Sequence, residues 1–262
     1  IQAKSRKPQS HGFEPMPFTA PLFDWQAHVV TWAVKQGRAA LFEDCGLGKT
    51  IQQLEWANQV KLKTSGKVLI LTPLAVAHQT ASEAAHFGIS ATVVESGDQC
   101  TATGIYITNY EKLDKFNAAD FAGVVLDESS ILKNFTGKTR KKLTEEFANT
   151  PYRLACTATP APNDYMEFGQ HAEFLGVMPS NEMLSRWFIN DTMNFGSYRL
   201  KGHAEADFWK WVSTWAACIS NPADIGFDGT AYELPSLSLH PVFVGVDESE
   251  GAEEGELFRA TS

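Results

Sequence analysis

Cysteine is scarce and scattered. Cys45, Cys100, Cys156 and Cys218 are the four in 262 residues, with no Cys-x-x-Cys pair and no histidine nearby at metal-ligand spacing. That pattern argues against a disulfide-stapled scaffold and against a zinc site, and it predicts reduced thiols. Long apolar runs are missing as well: none approaches the ~20 residues of a membrane-spanning helix, and Ile1-Gln2-Ala3-Lys4-Ser5-Arg6-Lys7-Pro8 lacks the apolar middle of a signal peptide. The expectation is a soluble cytoplasmic protein that does not engage a membrane. Strong positive charge is the third absence. The net charge is -9, six of those charges crowd together at Asp247, Glu248, Glu250, Glu253, Glu254 and Glu256, and the body without them carries -3. Composition therefore forces no basic face, and any contact with nucleic acid has to be local. At 28.9 kDa and 44% hydrophobic residues, one large core is expected.

What is present is organised around Asp44-Cys45-Gly46-Leu47-Gly48-Lys49-Thr50, set between the apolar run 39–42 and the helix-like run 51–56. A strand, a glycine-bearing turn ending in Gly-Lys-Thr and a helix make a phosphate-binding loop, in which backbone N–H groups and the helix N-terminus face the anion. Lys49 would neutralise the β- and γ-phosphates of a nucleotide, and Thr50 would offer its hydroxyl to Mg²⁺. Glu43 stands where the strict pattern has glycine, so the loop taken alone also admits an accidental turn. A second element weighs against accident. The apolar run 122–126 ends abruptly in Asp127-Glu128, a costly place for two carboxylates unless something polar lies there. Asp127 would hold Mg²⁺ through water, and Glu128 would orient and deprotonate the attacking water. Taken alone, that pair also reads as solvated acids at a plain strand end.

Around these two elements the chain alternates strand and helix. Residues 1–21, with Pro8, Pro15, Pro17 and Pro21, read as an extended lead-in. Phe23-Asp24-Trp25-Gln26 then opens an amphipathic helix running through Lys35, with Asp24 as its cap. The Gln26 amide has the donor and acceptor needed to read adenine, although by itself it reads first as a solvated surface residue. Strands are predicted at 68–72, 91–94, 104–108, 122–126 and 153–157, with a helix over 74–87; the alternation implies βαβ units. Residues 177–220 read as a helical appendage in which Phe208, Trp211, Val212, Trp215 and Ile219 form one stripe, core packing before base-stacking platform. Residues 221–262 read as a linker and an acidic tail. The basic cluster Lys138, Arg140, Lys141 and Lys142 reads as a solvated helix face ahead of a phosphate grip.

The succession Gln26, then Gly-Leu-Gly-Lys-Thr at 46–50, then Thr72-Pro73-Leu74, then Thr108-Asn109-Tyr110-Glu111, then Asp127-Glu128-Ser129-Ser130, then Thr157-Ala158-Thr159-Pro160 resembles the first RecA-like lobe of a superfamily two helicase over about residues 22–176. The wording at 44–50 and Lys133-Asn134 after the acids is similar to the Swi/Snf-like branch, and especially to its phage-borne members. The resemblance implies an α/β fold with a mainly parallel sheet and ATP hydrolysis with Mg²⁺. It implies that Gln26 reads adenine, that Gly46, Leu47, Gly48, Lys49 and Thr50 bind the triphosphate, and that Thr50 and Asp127 serve the metal. It further implies that Lys49, Asp127 and Glu128 are catalytic, that Pro73, Leu74, Thr108, Asn109 and Tyr110 touch a nucleic-acid backbone, and that Thr157, Ala158 and Thr159 couple the two. DNA is the expected track, ahead of RNA. Ser129-Ser130 replaces the branch's Ala-His, which removes any contact made through that histidine. A second RecA-like lobe, the source of an arginine finger, has no counterpart in residues 1–262, so a fragment of a longer motor is expected. The alternatives are an RNA helicase lobe and a nucleotide-dependent nucleic-acid-binding module without turnover.

Overall fold

Glycine ends the first helix and an apolar run begins the first strand. Helix α1 (Asp24–Gln36) buries Trp25, Val29, Val30, Ala33 and Val34 along one face and closes at Gly37, whose φ of 72° lets its N–H reach the Ala33 carbonyl. Strand β1 (Arg38–Glu43) follows at once. The computed structural model describes residues 11–133, 137–162, 164–190, 198–233 and 238–241, with 133 and 137–140 described for their backbone alone. Asn134, the side chains of Lys138 and Arg140, and the acidic stretch 247–256 lie outside the described residues. Thr230–Ser262 is a unit separate from Ile1–Gly229.

Seven parallel strands form the main sheet in the order β3-β4-β2-β5-β6-β1-β9. They are β1, β2 (Lys67–Thr72), β3 (Ala91–Val93), β4 (Gly104–Asn109), β5 (Gly123–Asp127), β6 (Tyr152–Thr157) and, last in the chain, β9 (Ala216–Ile219). Four of the central ones are buried at five consecutive positions, as strands covered on both faces require. Helices α2 (Lys49–Thr64), α3 (Ala77–His86), α4 (Gly137–Glu145) and α5 (Phe168–Leu175) connect or cover them. Helices α6 (Ser180–Trp187) and α7 (Glu205–Val212) flank a two-stranded antiparallel ribbon, β7 (Phe188–Asn190) with β8 (Tyr198–Leu200).

The segment expected as a helical appendage thus also supplies a strand to the main sheet. Strand β9 pairs with β1, and Phe208, Val212, Trp215 and Ile219 are buried in the core rather than displayed for stacking. Two smaller expectations also change. The helix foreseen over 74–87 starts at Ala77, because Pro73 opens a turn closed by Val76 N–H on the Pro73 carbonyl. Asp24 does not cap α1: Phe23 holds that position, and its N–H donates to Gln26 Oε1 at 3.1 Å.

Helix α2 is the centre of the fold, buried at every position from Ile51 to Val60. Burying Glu55, Asn58 and Gln59 is tolerable only if each finds partners, and the proline-rich lead-in provides them. Glu55 Oε2 accepts from the N–H groups of Thr19 and Ala20 at 3.2 and 2.8 Å, Gln59 Oε1 accepts from Met16 N–H at 2.8 Å, and Asn58 Nδ2 donates to Thr19 Oγ1 at 2.9 Å. The lead-in, though irregular, is therefore strapped to the helix that begins at Lys49. Among the described residues no helix is long and apolar enough to cross a membrane, and the four cysteines are free thiols.

Candidate active site

Strand order brings the site together. Strands β5, β6 and β1 are neighbours, so Asp127, Thr157 and the loop 44–50 emerge side by side at their C-terminal ends, where open α/β sheets bind ligands. Strands β2 and β4, on the other side of β5, deliver Pro73, Leu74 and residues 108–110.

The loop turns on Gly46 at φ 85° and Gly48 at φ 75°, a region glycine enters without penalty. At Gly48 crowding adds to the requirement, since a Cβ would stand 2.6 Å from Gln26 Nε2. Helix α2 begins at Lys49 with no side-chain cap, leaving first-turn N–H groups available to an anion. Lys49 Nζ donates to the carbonyls of Glu43 and Asp44 at 2.8 and 3.0 Å. These are neutral acceptors that a phosphate oxygen would outbid.

Beneath the loop lies a polar cluster. The Leu47 carbonyl accepts from Gln26 Nε2 at 3.1 Å and from Gln52 Nε2 at 3.3 Å, and Gln52 Nε2 also donates to Glu43 Oε2 at 2.7 Å. Gln26 is therefore buried and engaged at both ends of its amide, not solvated, and reading adenine would mean exchanging the Leu47 or Phe23 bond. Glu43 is 1% exposed, and burial pushes its carboxyl up to about 7 against the pull of Gln52 and Lys49. The sequence marked Glu43 only as a departure from a pattern, and Gln52 not at all.

The acids sit on the neighbouring strand end. Burial, with the Glu128 charge added, pushes the Asp127 carboxyl up to about 6, opposed by Gln53 and Lys49. Glu128 has φ 51°, a left-handed conformation for a residue with a side chain, which costs on the order of 1–3 kcal/mol and persists only where neighbours hold it. Thr157 Oγ1 donates to Glu128 Oε2 at 3.1 Å and accepts from Thr159 N–H at 3.1 Å. Thr157 is buried and supplies the hydroxyl contact; the Thr159 side chain is exposed, and its main-chain N–H makes the bond to Thr157. On the other flank Ser129 is buried, its Oγ 3.1 Å from His171 Nε2 of α5. His171 Nδ1 faces the Glu167 carbonyl at 3.4 Å, and burial holds the imidazole down at about 4, hence neutral.

The donor set fits Mg²⁺ shared with a nucleotide. Asp127 is a carboxylate crowded against a second one, the chemistry a divalent cation relieves, and Thr50 adds a hydroxyl. Mg²⁺ asks no more of the protein than one or two such ligands when phosphate oxygens and water complete its shell.

The segments expected to touch nucleic acid divide. Leu74 is 65% exposed, whereas Thr108, Asn109 and Tyr110 are buried. Thr108 Oγ1 and Asn109 Oδ1 have no hydrogen-bond partner, and both residues line a cavity of about 210 Å³ with Leu74, His78, Glu95 and Lys112. The Tyr110 hydroxyl points inward and donates to the Asp127 carbonyl at 2.7 Å. Its placement is that of an internal strut rather than a surface contact.

Comparison with known proteins bears on the same region. Over 124 residues, 43% of the chain, the sequence is 34% identical to the SWI/SNF-related matrix-associated actin-dependent regulator of chromatin subfamily A-like protein 1 of Xenopus laevis, and it spans 13% of that protein's length. The SWI2/SNF2 ATPase core of Sulfolobus solfataricus superimposes with a TM-score of 0.64 at 21% identity over 82% of this chain and 47% of that one, and its complex with dsDNA with 0.62 at 22% over 79% and 46%. The UvsW helicase of bacteriophage T4 shares the fold more loosely, with a TM-score of 0.50 at 15% identity over 64% of this chain and 62% of that one. The family model for the SNF2-related domain matches residues 25–196, well over half of the sequence and every strand-end residue named above, and the chain belongs to that family.

Proposed function

We propose that this chain is the ATP-binding lobe of a DNA translocase or helicase and that it hydrolyses ATP with Mg²⁺. The observation that carries the reading is the hydrogen bond from Thr157 to Glu128, made one strand away from the phosphate loop. It joins a base to the strand end that the resemblance assigns to coupling. Lys49 would leave the Glu43 and Asp44 carbonyls for the β- and γ-phosphates, and Glu128 would take the proton of the attacking water while Thr157 holds its carboxylate. Asp127 and Thr50 would hold Mg²⁺, which when bound supplies charge neutralisation at the phosphates. Gln26 would exchange one of its backbone partners for adenine.

A similar core was solved in complex with dsDNA, which supports duplex DNA as the track. The exposed Leu74 and adjoining Pro73 would lie along the sugar-phosphate backbone, with Thr108 and Asn109 behind them, in contacts that carry no base information. A second RecA-like lobe would supply the opposing arginine. Arg38 and Arg153 are not substitutes, for they are the first residue of β1 and the second of β6, at the far end of the sheet, and donate to the carbonyls of Pro151 and Ala148. Within the family, the wording of residues 44–50 supports a place near its phage-borne members. The test is the ATPase rate of the full natural protein with duplex, single-stranded and branched DNA and with RNA. Stimulation by duplex DNA is expected; stimulation by RNA alone would move the reading to an RNA helicase, and nucleotide binding without turnover to a binding module.

A further inference from the structure

We infer that Tyr110 is a positioning residue for the acid pair: its hydroxyl ties the peptide that sets the Glu128 conformation to the strand end forming one wall of the cavity beside Asn109. The inference deepens the motor reading above and rests on it for the identity of the cavity's ligand, a nucleic-acid backbone.

The geometry is specific. Strands β4 and β5 are not neighbours, since β2 lies between them, and at ~4.8 Å per spacing the gap is about 10 Å. The β2–β5 ladder stops at Leu71 opposite Leu126, one residue before Asp127, whereas β2–β4 continues to Asn109. Tyr110, the next residue on, reaches past the end of β2 and donates to the Asp127 carbonyl at 2.7 Å. That carbonyl and the Glu128 N–H share one rigid peptide plane. Holding the carbonyl fixes the plane against which Glu128 adopts its φ of 51°.

The other end of the strut meets the cavity. Thr108 and Asn109 immediately precede Tyr110, are more than nine-tenths buried, line a space of about 210 Å³, and keep Thr108 Oγ1 and Asn109 Oδ1 buried without a hydrogen-bond partner. A ligand seated in that space packs against the segment 108–109, which runs directly into Tyr110. Fixing that segment fixes the strut and, through it, the peptide before Glu128.

A matched control exists in the same strand. Tyr106 is also buried and also donates to a backbone carbonyl at 2.7 Å, but to Ala102, away from the acids, and its hydroxyl accepts from the Ala102 N–H at 3.3 Å as well. Tyr110→Phe and Tyr106→Phe therefore each delete a buried hydroxyl that donates at the same distance, and only the first touches the acid pair. In the full natural protein, amide hydrogen exchange at 128–131 and the ATPase parameters with and without duplex DNA are compared for the two. Tyr110→Phe is expected to speed exchange at 128–131 and to lower DNA-stimulated kcat, each by about tenfold, the worth of one such hydrogen bond, with KM for ATP within twofold; Tyr106→Phe is expected to do neither, at a similar loss of melting temperature. Equal exchange at 128–131 in the two variants overturns the inference whatever the activity. Faster exchange in Tyr110→Phe in a protein that does not hydrolyse ATP upholds the strut and rejects the motor reading instead.

Discussion

Replacing Glu43 with glutamine keeps the shape of the side chain beneath the phosphate loop and removes its titration. Glu43 ends β1 at 1% exposure, with Oε2 accepting from Gln52 Nε2 at 2.7 Å and Oε1 unpartnered, and its carboxyl rises from 4.5 to about 7. The folded state holds this proton more tightly than the unfolded chain does, so the stabilisation is full below 4.5, falls as pH rises, and is lost once pH passes about 7. At about 1.4 kcal/mol per pH unit, that window amounts to roughly 3 kcal/mol. Other buried groups titrate nearby: Asp127, raised to about 6, acts in the same sense, and His171, held down at about 4, acts oppositely by favouring the fold above 6.5. The quantity to read is therefore the difference between variant and wild type. Urea unfolding from roughly pH 5 to 8 should show the stability of Glu43→Gln gaining about 2 to 3 kcal/mol on the wild type across the range. Parallel profiles would mean that Glu43 is charged at neutral pH and that the cluster under the loop has another organisation.

Lys49→Ala should weaken ATP binding by about a hundredfold or more, since it removes the cation parked beside the loop; unchanged affinity in a nucleotide titration would remove the loop assignment. Glu128→Gln should retain ATP binding and lose hydrolysis. Glu128→Gly should be more stable than Glu128→Ala by about 1 kcal/mol, because both lack the carboxylate that Thr157 holds and only glycine takes φ 51° without strain; a melting point at or below that of Glu128→Ala would show that the conformation is not strained. Thr157→Val keeps the buried shape but cannot donate to Glu128, and the ratio of DNA-stimulated to basal turnover should fall by several-fold, about one hydrogen bond's worth. An unchanged ratio would return Thr157 to a strand-end role alone.

The sheet was largely legible because strands buried on both faces must be written as apolar runs, and five such runs punctuated by glycine, proline or acids stand out in this sequence. Strand β9 was not. Its four residues follow a tryptophan-bearing helix after a turn of only three residues, and the aromatic stripe continued the helical reading through Trp215 to Ile219. Helix α2 hid differently: Gln52, Gln53, Glu55, Asn58 and Gln59 are the letters of a surface helix, and what buries three of them is a segment some 35 residues or more upstream, whose backbone N–H groups and Thr19 hydroxyl no local pattern announces. Gln26 and Tyr110 share that difficulty. Their residue types fitted a ligand contact, and their position in the chain could not tell that each already holds a backbone carbonyl.

The turn after β5 is where these separate threads join. Glu128 is left-handed, and a conformation that costs energy by itself relaxes when its neighbours let go. Its neighbours come from both sides of the sheet: Tyr110 from the end of β4 on the preceding carbonyl, Thr157 from the end of β6 on the carboxylate, and His171 from α5 on the hydroxyl of the following serine. Helix α5 is itself tied to the start of β6 by Arg153, which donates to the Phe174 carbonyl near the helix C-terminus. A side chain held in this way responds to either flank, because loss of one bond weakens the hold on the same strained residue. The strand order makes that possible, placing β5 between the ends that face the phosphate loop and the ends that line the cavity at Asn109. Were β5 at a sheet edge, Glu128 would be open to one of those influences and closed to the other.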